Sequence, residues 1–380
     1  MKRWKNMLNI KIRLTQLIVL TAFMLTTNYT TVNACTGIRL IAKDKSVVYG
    51  RSMEWGAFDL HSRVTIIPKG YKFRGLTPDG YNGKKWTSKY GVVALDMIHK
   101  MALADGMNEK GLTAGLFYHP GFAEYPKYDP KKSEKSITAI DVVTYILTQY
   151  ATVDEVKKGM AEILVVPVVE EALGIVVDVH FIVTDTSGKS IVIEFTNGKV
   201  KIHNNPLGVL TNSPNFDWHM VNLRNYVNIS QEAIPDKKIQ DLDFKPLGAG
   251  SGMIGLPGDM TPPSRFIRAI AFSQTARETS TSSETVYELF RILDNFNLGL
   301  GSSEGSEHKQ SDEDFLRSST LWTTAWDTKN RVFYYHTQHN RRVRMIDLKA
   351  IDFSKIGSSI VYLPLDKKRE QDIEDITPKK

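Results

Sequence analysis

Asn197-Gly198 restricts the fold more than any other feature of this chain. The pair lies between the alternating runs Ser190-Ile-Val-Ile-Glu-Phe195 and Val200-Lys-Ile-His203. Asn-Gly in that setting is the strongest short-range hairpin signal, because both residues tolerate the positive φ of a two-residue turn. A further run, His180-Phe-Ile-Val-Thr184, precedes them across the turn Asp185-Thr-Ser-Gly188. The spacing predicts an antiparallel meander that continues into Gly208-Val-Leu-Thr-Asn-Ser-Pro214.

Strands and helices otherwise come in runs. Thr36-Gly-Ile-Arg-Leu-Ile-Ala42 and Ser46-Val-Val-Tyr-Gly-Arg-Ser-Met-Glu-Trp55, joined by the polar Lys43-Asp-Lys45, read as a hairpin, with Cys35 at the exposed start of its first strand, and Arg63-Val-Thr-Ile-Ile-Pro-Lys-Gly70 reads as a third strand. Residues 136–147 place Ile140, Val143, Ile146 and Leu147 on one helical face. Thr152-Val-Asp-Glu155 has the form of a capping box and opens a helix with Val156, Met160 and Leu164 inward. Helical spacing returns at 264–276 and 284–295, and strands at 321–326, 332–337 and 343–348. This order points to a layered α+β fold and away from a parallel βαβ sheet. No linker divides the chain, so residues 35–380 are expected to form one domain, with a charged tail fraying from about residue 366.

The first 34 residues are a separate matter. Lys2, Arg3, Lys5, Lys11 and Arg13 stand without an acid, then comes the apolar run Leu17-Ile-Val-Leu-Thr-Ala-Phe-Met-Leu25, then Val32-Asn33-Ala34. This is the layout of an export signal, which places the mature chain in the periplasm or outside the cell. Some nine apolar residues fall short of the roughly 20 that span a bilayer. The five bases account for most of the net charge of +7 and leave +2 on the remainder, so no nucleic-acid partner is implied.

Cleavage after Ala34 would leave Cys35, the only cysteine, at the new N-terminus. A lone thiol in an exported chain has no disulfide to make, which suggests chemistry or attachment. An α-amine titrates at about 7.7–8.0, close enough to neutrality for a general base. Nucleophile and base would then reside in one residue. The competing reading is a lipid anchor, since bacterial lipoproteins are also cut before a cysteine that is then acylated. Asn33 fits poorly in the small-residue stretch such a site needs.

Other motifs carry less. Gly250-Ser-Gly-Met-Ile-Gly255 satisfies a dinucleotide pattern, but Leu256-Pro-Gly-Asp-Met-Thr-Pro-Pro263 follows and prevents the helix it requires. Gly301-Ser-Ser-Glu-Gly305 satisfies a nucleophile-elbow pattern that would make Ser303 a serine hydrolase nucleophile, yet it runs into a polar stretch where a helix should begin. His336-Thr-Gln-His339 lacks further metal ligands and reads as two exposed turn histidines. No cofactor or metal is called for.

Several separated segments agree on a family. Cys35-Thr-Gly37, Gly50-Arg-Ser-Met-Glu-Trp55, Ala104-Asp-Gly-Met-Asn-Glu-Lys-Gly-Leu112, Gly208-Val-Leu-Thr-Asn-Ser-Pro-Asn-Phe-Asp-Trp-His219, Gly255-Leu-Pro-Gly-Asp-Met-Thr-Pro-Pro-Ser-Arg-Phe266 and Tyr334-Tyr-His-Thr337 together resemble the choloylglycine hydrolase family, which includes bile salt hydrolases and penicillin V acylases. The resemblance implies an N-terminal nucleophile hydrolase with an αββα sandwich, cleaving a linear amide of a small molecule without metal or nucleotide, and points to a homotetramer. It implies that Cys35 is the nucleophile and Arg51 the neighbouring cation. Glu54 stands where the family usually has aspartate, its carboxylate one methylene further out, and Asp59 is a weaker substitute. Asn212 is implied as a side-chain oxyanion donor, Tyr118 as the backbone N–H donor, and Arg265 as an arginine near the site, in the first turn of a helix at a loop mouth. Tyrosine at 118 leans towards penicillin-V-like amides, while conjugated bile acids and N-acyl homoserine lactones stay open as substrates. An inactive lipid-anchored binding protein is the reading from another class.

Overall fold

The computed structural model describes residues 35–56, 58–303 and 316–378. The expected export signal, and the end of the 301–305 motif, lie outside them.

Fourteen strands build two antiparallel sheets. They are β1 (Thr36–Ile41), β2 (Val47–Glu54), β3 (Arg63–Ile67), β4 (Val92–Met97), β5 (Ala102–Asn108), β6 (Thr113–Tyr118), β7 (Val179–Thr184), β8 (Ser190–Thr196), β9 (Lys199–Asn204), β10 (Val209–Leu210), β11 (Thr320–Asp327), β12 (Val332–Thr337), β13 (Arg344–Asp347) and β14 (Val361–Pro364). One sheet runs β10-β1-β2-β11-β12-β13, the other β9-β8-β7-β6-β5-β4-β3-β14. The main helices are α1 (Val142–Gln149), α2 (Val153–Gly159), α3 (Phe216–Asn222), α4 (Pro262–Thr275) and α5 (Ser282–Leu293).

Alternation along the strands explains the layering. Successive side chains point to opposite faces. Val93 and Leu95 of β4, Ile182 of β7 and Val192 of β8 enter the core shared with the first sheet. Their neighbours Val92, Ala94, Phe181, Val183, Ile191 and Ile193 enter a second core with Val143, Ile146 and Leu147 of α1 and Val156 of α2. On the far side, Phe266 and Ile270 of α4 and Leu289 and Phe290 of α5 cover the first sheet. The result is the expected four-layer αββα sandwich, and β2 is buried along all eight residues.

The turn at Asn197-Gly198 forms as the sequence requires, with φ of 52° and 68°, and the β1–β2 hairpin pairs Thr36 with Ser52. Several expectations are corrected. The meander ends at β9: β10 crosses to the other sheet and pairs with β1, Gly37 opposite Leu210. This crossover delivers the following residues, Thr211 and Asn212, to the head of β1. The helix expected over 136–147 begins only at Val142, because 136–138 form a short strand parallel to 164–166, and periodicity alone gives no sign of such a partner. Likewise α2 stops at Gly159, and Leu164 lies in that ribbon. In the segment after residue 365, the Gln371 side chain donates to His339 O at 2.7 Å. His336 and His339 are buried rather than exposed. Among the described residues, no helix is long and apolar enough to cross a membrane.

Gly50 marks the tightest approach near the site. A Cβ there would lie 2.2 Å from Thr324 O and 2.8 Å from Leu289 Cδ2. Overpacking of this kind typically costs about 1–3 kcal/mol. Gly50→Ala is therefore expected to lower the denaturant midpoint by that much, and an unshifted midpoint would contradict the packing between β2, β11 and α5.

Candidate active site

Register places the thiol. With Thr36 opposite Ser52, Cys35 falls beside Met53 and Glu54, its Sγ 3.8 Å from Met53 Sδ. The residue is only 3% exposed. Its backbone is held at both ends: Cys35 N donates to Asn212 Oδ1 at 2.8 Å, and Cys35 O accepts from Arg265 Nη1 at 2.6 Å. Arg265 Nη1 also reaches Thr36 Oγ1 at 3.0 Å, and its Nη2 donates to Asn212 Oδ1 at 2.7 Å.

A guanidinium has donors only, so it fixes which way the Asn212 amide faces. The oxygen turns to Cys35 and Arg265, and Nδ2 donates to Tyr118 O at 2.7 Å. An amide nitrogen carries two protons, and the second is not taken by any of these bonds. Tyr118 ends β6 opposite Val179. Since His119 N donates to Asp178 O at 2.8 Å, the next pair along the ladder is the non-hydrogen-bonded kind, and the N–H and C=O of Tyr118 turn away from β7. Its carbonyl accordingly meets Asn212.

Arg51 lies fully buried on β2. Its guanidinium donates to Ala104 O at 3.2 Å and to Leu116 O, and stacks over Phe117 with its carbon 4.1 Å from the ring centroid. Carbonyls rather than a carboxylate hold it, so its positive charge remains available to the neighbouring thiol. Even so, burial dominates at Cys35 and pushes the thiol above its ordinary value; Arg51 opposes this, the Glu54 carboxylate adds to it, and the Glu54 N–H and Arg265 oppose it. The resting group is thus a protonated thiol that needs a base. Burial also pushes the Asp105 carboxyl up to about 6, against Arg51 and hydrogen bonds from Thr324 and Trp326.

All six site residues expected from the sequence are brought together, with two differences in what they do. The Glu54 carboxylate accepts from Thr320 Oγ1 at 3.4 Å, and it is Asn212 that holds Cys35 N. Arg265 is not at an open loop mouth but 1% exposed. Asp59 is engaged by Lys367 and His61, away from the thiol. Asp105 escaped notice although it sits in Ala104-Asp-Gly106, where a charged residue inside an apolar strand was the available signal.

In front of the thiol lies a pocket of about 620 Å³, part of it open to solvent. Met53, Trp55, Leu60, Leu116, Leu173 and Val179 give it a hydrocarbon wall, and Tyr118 and the acids Glu54 and Glu170 also line it. Lys100 neutralises Glu170 at 2.5 Å.

The αββα sandwich of two antiparallel sheets is the fold of N-terminal nucleophile hydrolases. The family model for linear amide C–N hydrolases of the choloylglycine hydrolase family matches residues 35–362, and the chain belongs to this family. It is therefore a hydrolase of linear amide C–N bonds. A bile salt hydrolase/transferase of Clostridium perfringens is 33% identical over 318 residues, covering 83% of this chain and 92% of the relative. A penicillin V acylase of Pectobacterium atrosepticum is 28% identical over 337 residues, covering 84% and 81%. The crystal structure of a variant of the conjugated bile acid hydrolase from Clostridium perfringens superposes with a TM-score of 0.78 at 30% identity, over 90% of this chain and all of that one.

Burial pushes the Glu54 carboxyl up to about 7, against the pull of Arg265. A carboxyl raised on folding binds more protons folded than unfolded, so its contribution to stability falls as pH rises from about 4.5 to about 7. Relative to Glu54→Gln, the native protein should lose on the order of 3 kcal/mol across that window. Urea titrations of both proteins at pH 4.5 and 7.5 measure the difference, and parallel pH dependences would contradict the assignment.

Proposed function

We propose that the protein is an exported cysteine amidohydrolase, activated when removal of residues 1–34 frees the α-amine of Cys35. The observation that carries this is the clasp around Cys35: its nitrogen donates to Asn212 Oδ1 and its carbonyl accepts from Arg265. An amine donating to Asn212 in this way keeps its lone pair for the thiol proton. The match to the family begins at Cys35 itself, which supports the same reading.

The chemistry follows from these contacts. The amine takes the thiol proton, and the thiolate, favoured by Arg51, attacks the amide carbonyl. The second Nδ2 proton of Asn212 and the Tyr118 N–H meet the developing oxyanion. The C–N bond breaks as the ammonium returns its proton to the leaving amine, leaving an acyl thioester. Water, deprotonated by the same amine, then releases the acid.

The acyl group is bound by hydrocarbon. Tyr118 packs edge-on to Trp55 at 6.3 Å, which suits a flat aryloxyacetyl group and favours penicillin-V-like amides. The similarity to bile salt hydrolases supports conjugated bile acids as the second reading. Side-by-side hydrolysis of penicillin V, glycine- and taurine-conjugated bile acids and N-acyl homoserine lactones separates them, with penicillin V expected to have the highest kcat/KM.

Cys35→Ala should abolish hydrolysis with folding intact, and retained turnover would remove the thiol from the mechanism. Asn212→Ala should lower kcat by about 10²–10³, the range for a lost oxyanion donor. An effect confined to KM would contradict that role.

A further inference from the structure

Behind the site lies a polar cluster that no step above uses. His119, His180, Glu194 and His219 are each 0% exposed. None of them lines the substrate pocket. His180 Nε2 lies 2.9 Å from Thr211 O, and His219 Nε2 lies 3.0 Å from Asn212 O. A carbonyl only accepts, so both ring nitrogens carry protons. These two carbonyls belong to the peptide planes on either side of the Asn212 Cα, and fixing both fixes the backbone from which the amide projects.

Glu194 in turn fixes the first of these rings. Its Oε1 lies 3.3 Å from His180 Nδ1 and accepts from Phe216 N at 2.7 Å, and its Oε2 lies 3.2 Å from His203 Nε2. With Nε2 committed to Thr211, Nδ1 is the nitrogen that faces the carboxylate, and the two contacts together fix the ring. Burial works against the Glu194 charge, but hydrogen bonds from His180 and His203 outweigh it and hold the carboxyl well below its usual range. His119, stacked on His180 at 4.1 Å and 5°, stays neutral: burial and the neighbouring His180 press its titration down to about 2.

His119, His180 and Glu194 lie close enough together to suggest a metal site. The ring geometry argues otherwise. Imidazole lone pairs lie in the ring plane, and two parallel stacked rings cannot both aim them at one ion.

We propose that the Glu194–His180 pair and His219 are positioning residues that grip the peptides flanking Asn212 and so aim its side-chain amide at the oxyanion. This rests on the reading of Asn212 given above. Misplacing a catalytic group by about 1 Å can cost 10²-fold.

The test uses the mature enzyme. His180→Phe keeps the ring stack but removes the contacts to Thr211 O and Glu194, whereas His219→Phe removes the donor to Asn212 O and takes no partner from a carboxylate. Each should lower kcat about 10- to 10²-fold with KM within about two-fold. His219→Gln restores a donor to Asn212 O and should recover most of kcat. Glu194→Gln can still hydrogen-bond His180 Nδ1 and accept from Phe216 N, and should stay within about three-fold of native. Alkylation of Cys35 by iodoacetamide forms no oxyanion, so its rate should be the same in all variants. Native kcat in both His219→Phe and a folded His180→Phe would overturn the proposal, as would one equivalent of zinc in the purified protein that Glu194→Gln loses. The reading of Cys35 fails separately, if iodoacetamide leaves the native enzyme active.

Discussion

One buried cation holds the site together. Arg265 comes from the first turns of α4, yet its guanidinium bonds Cys35 O, Thr36 Oγ1 and Asn212 Oδ1 at once. Three segments far apart in sequence, at residues 35–36, 212 and 265, are thereby tied to one planar group whose donor directions are rigid. Burial lowers its own titration to about 10 against the stabilising charge of Glu54, so it remains charged at neutral pH. Crossing of β10 between sheets brings Asn212 into reach, and two prolines at the start of α4 aim Arg265 from the other side.

Seen from the thiol, the site separates two demands. A nucleophile needs ionisation, and a buried group resists it. Arg51, hydrogen-bonded to carbonyls, supplies a neighbouring positive charge, while the proton itself must go to a base. On the function proposed above, that base is the α-amine of Cys35 itself.

Much of this was legible beforehand because it depended on local pattern. The Asn197-Gly198 turn and the β1–β2 hairpin follow from residues a few positions apart, and the six site residues follow from spaced motifs. What escaped reading depended on partners distant in sequence. The exit of β10 to the other sheet, the strand at 136–138 and the burial of Arg265 are all set by neighbours that periodicity cannot name. Glu54 shows the same limit at the scale of one side chain: its charge acts on Cys35 as expected, but its carboxylate accepts from Thr320 while Asn212 holds Cys35 N. The His180–Glu194 pair left no local signature, since each residue alone reads as an ordinary polar interruption in a strand.

The burial of Cys35 has a consequence for durability. Oxidation of cysteine proceeds through the thiolate and follows exposure. A thiol held protonated, 3% exposed and walled by Met53 and hydrocarbon is a poor target for peroxide and for exchange with small disulfides. The desolvation that disfavours the thiolate thus also slows the oxidation of an unpaired sulfur.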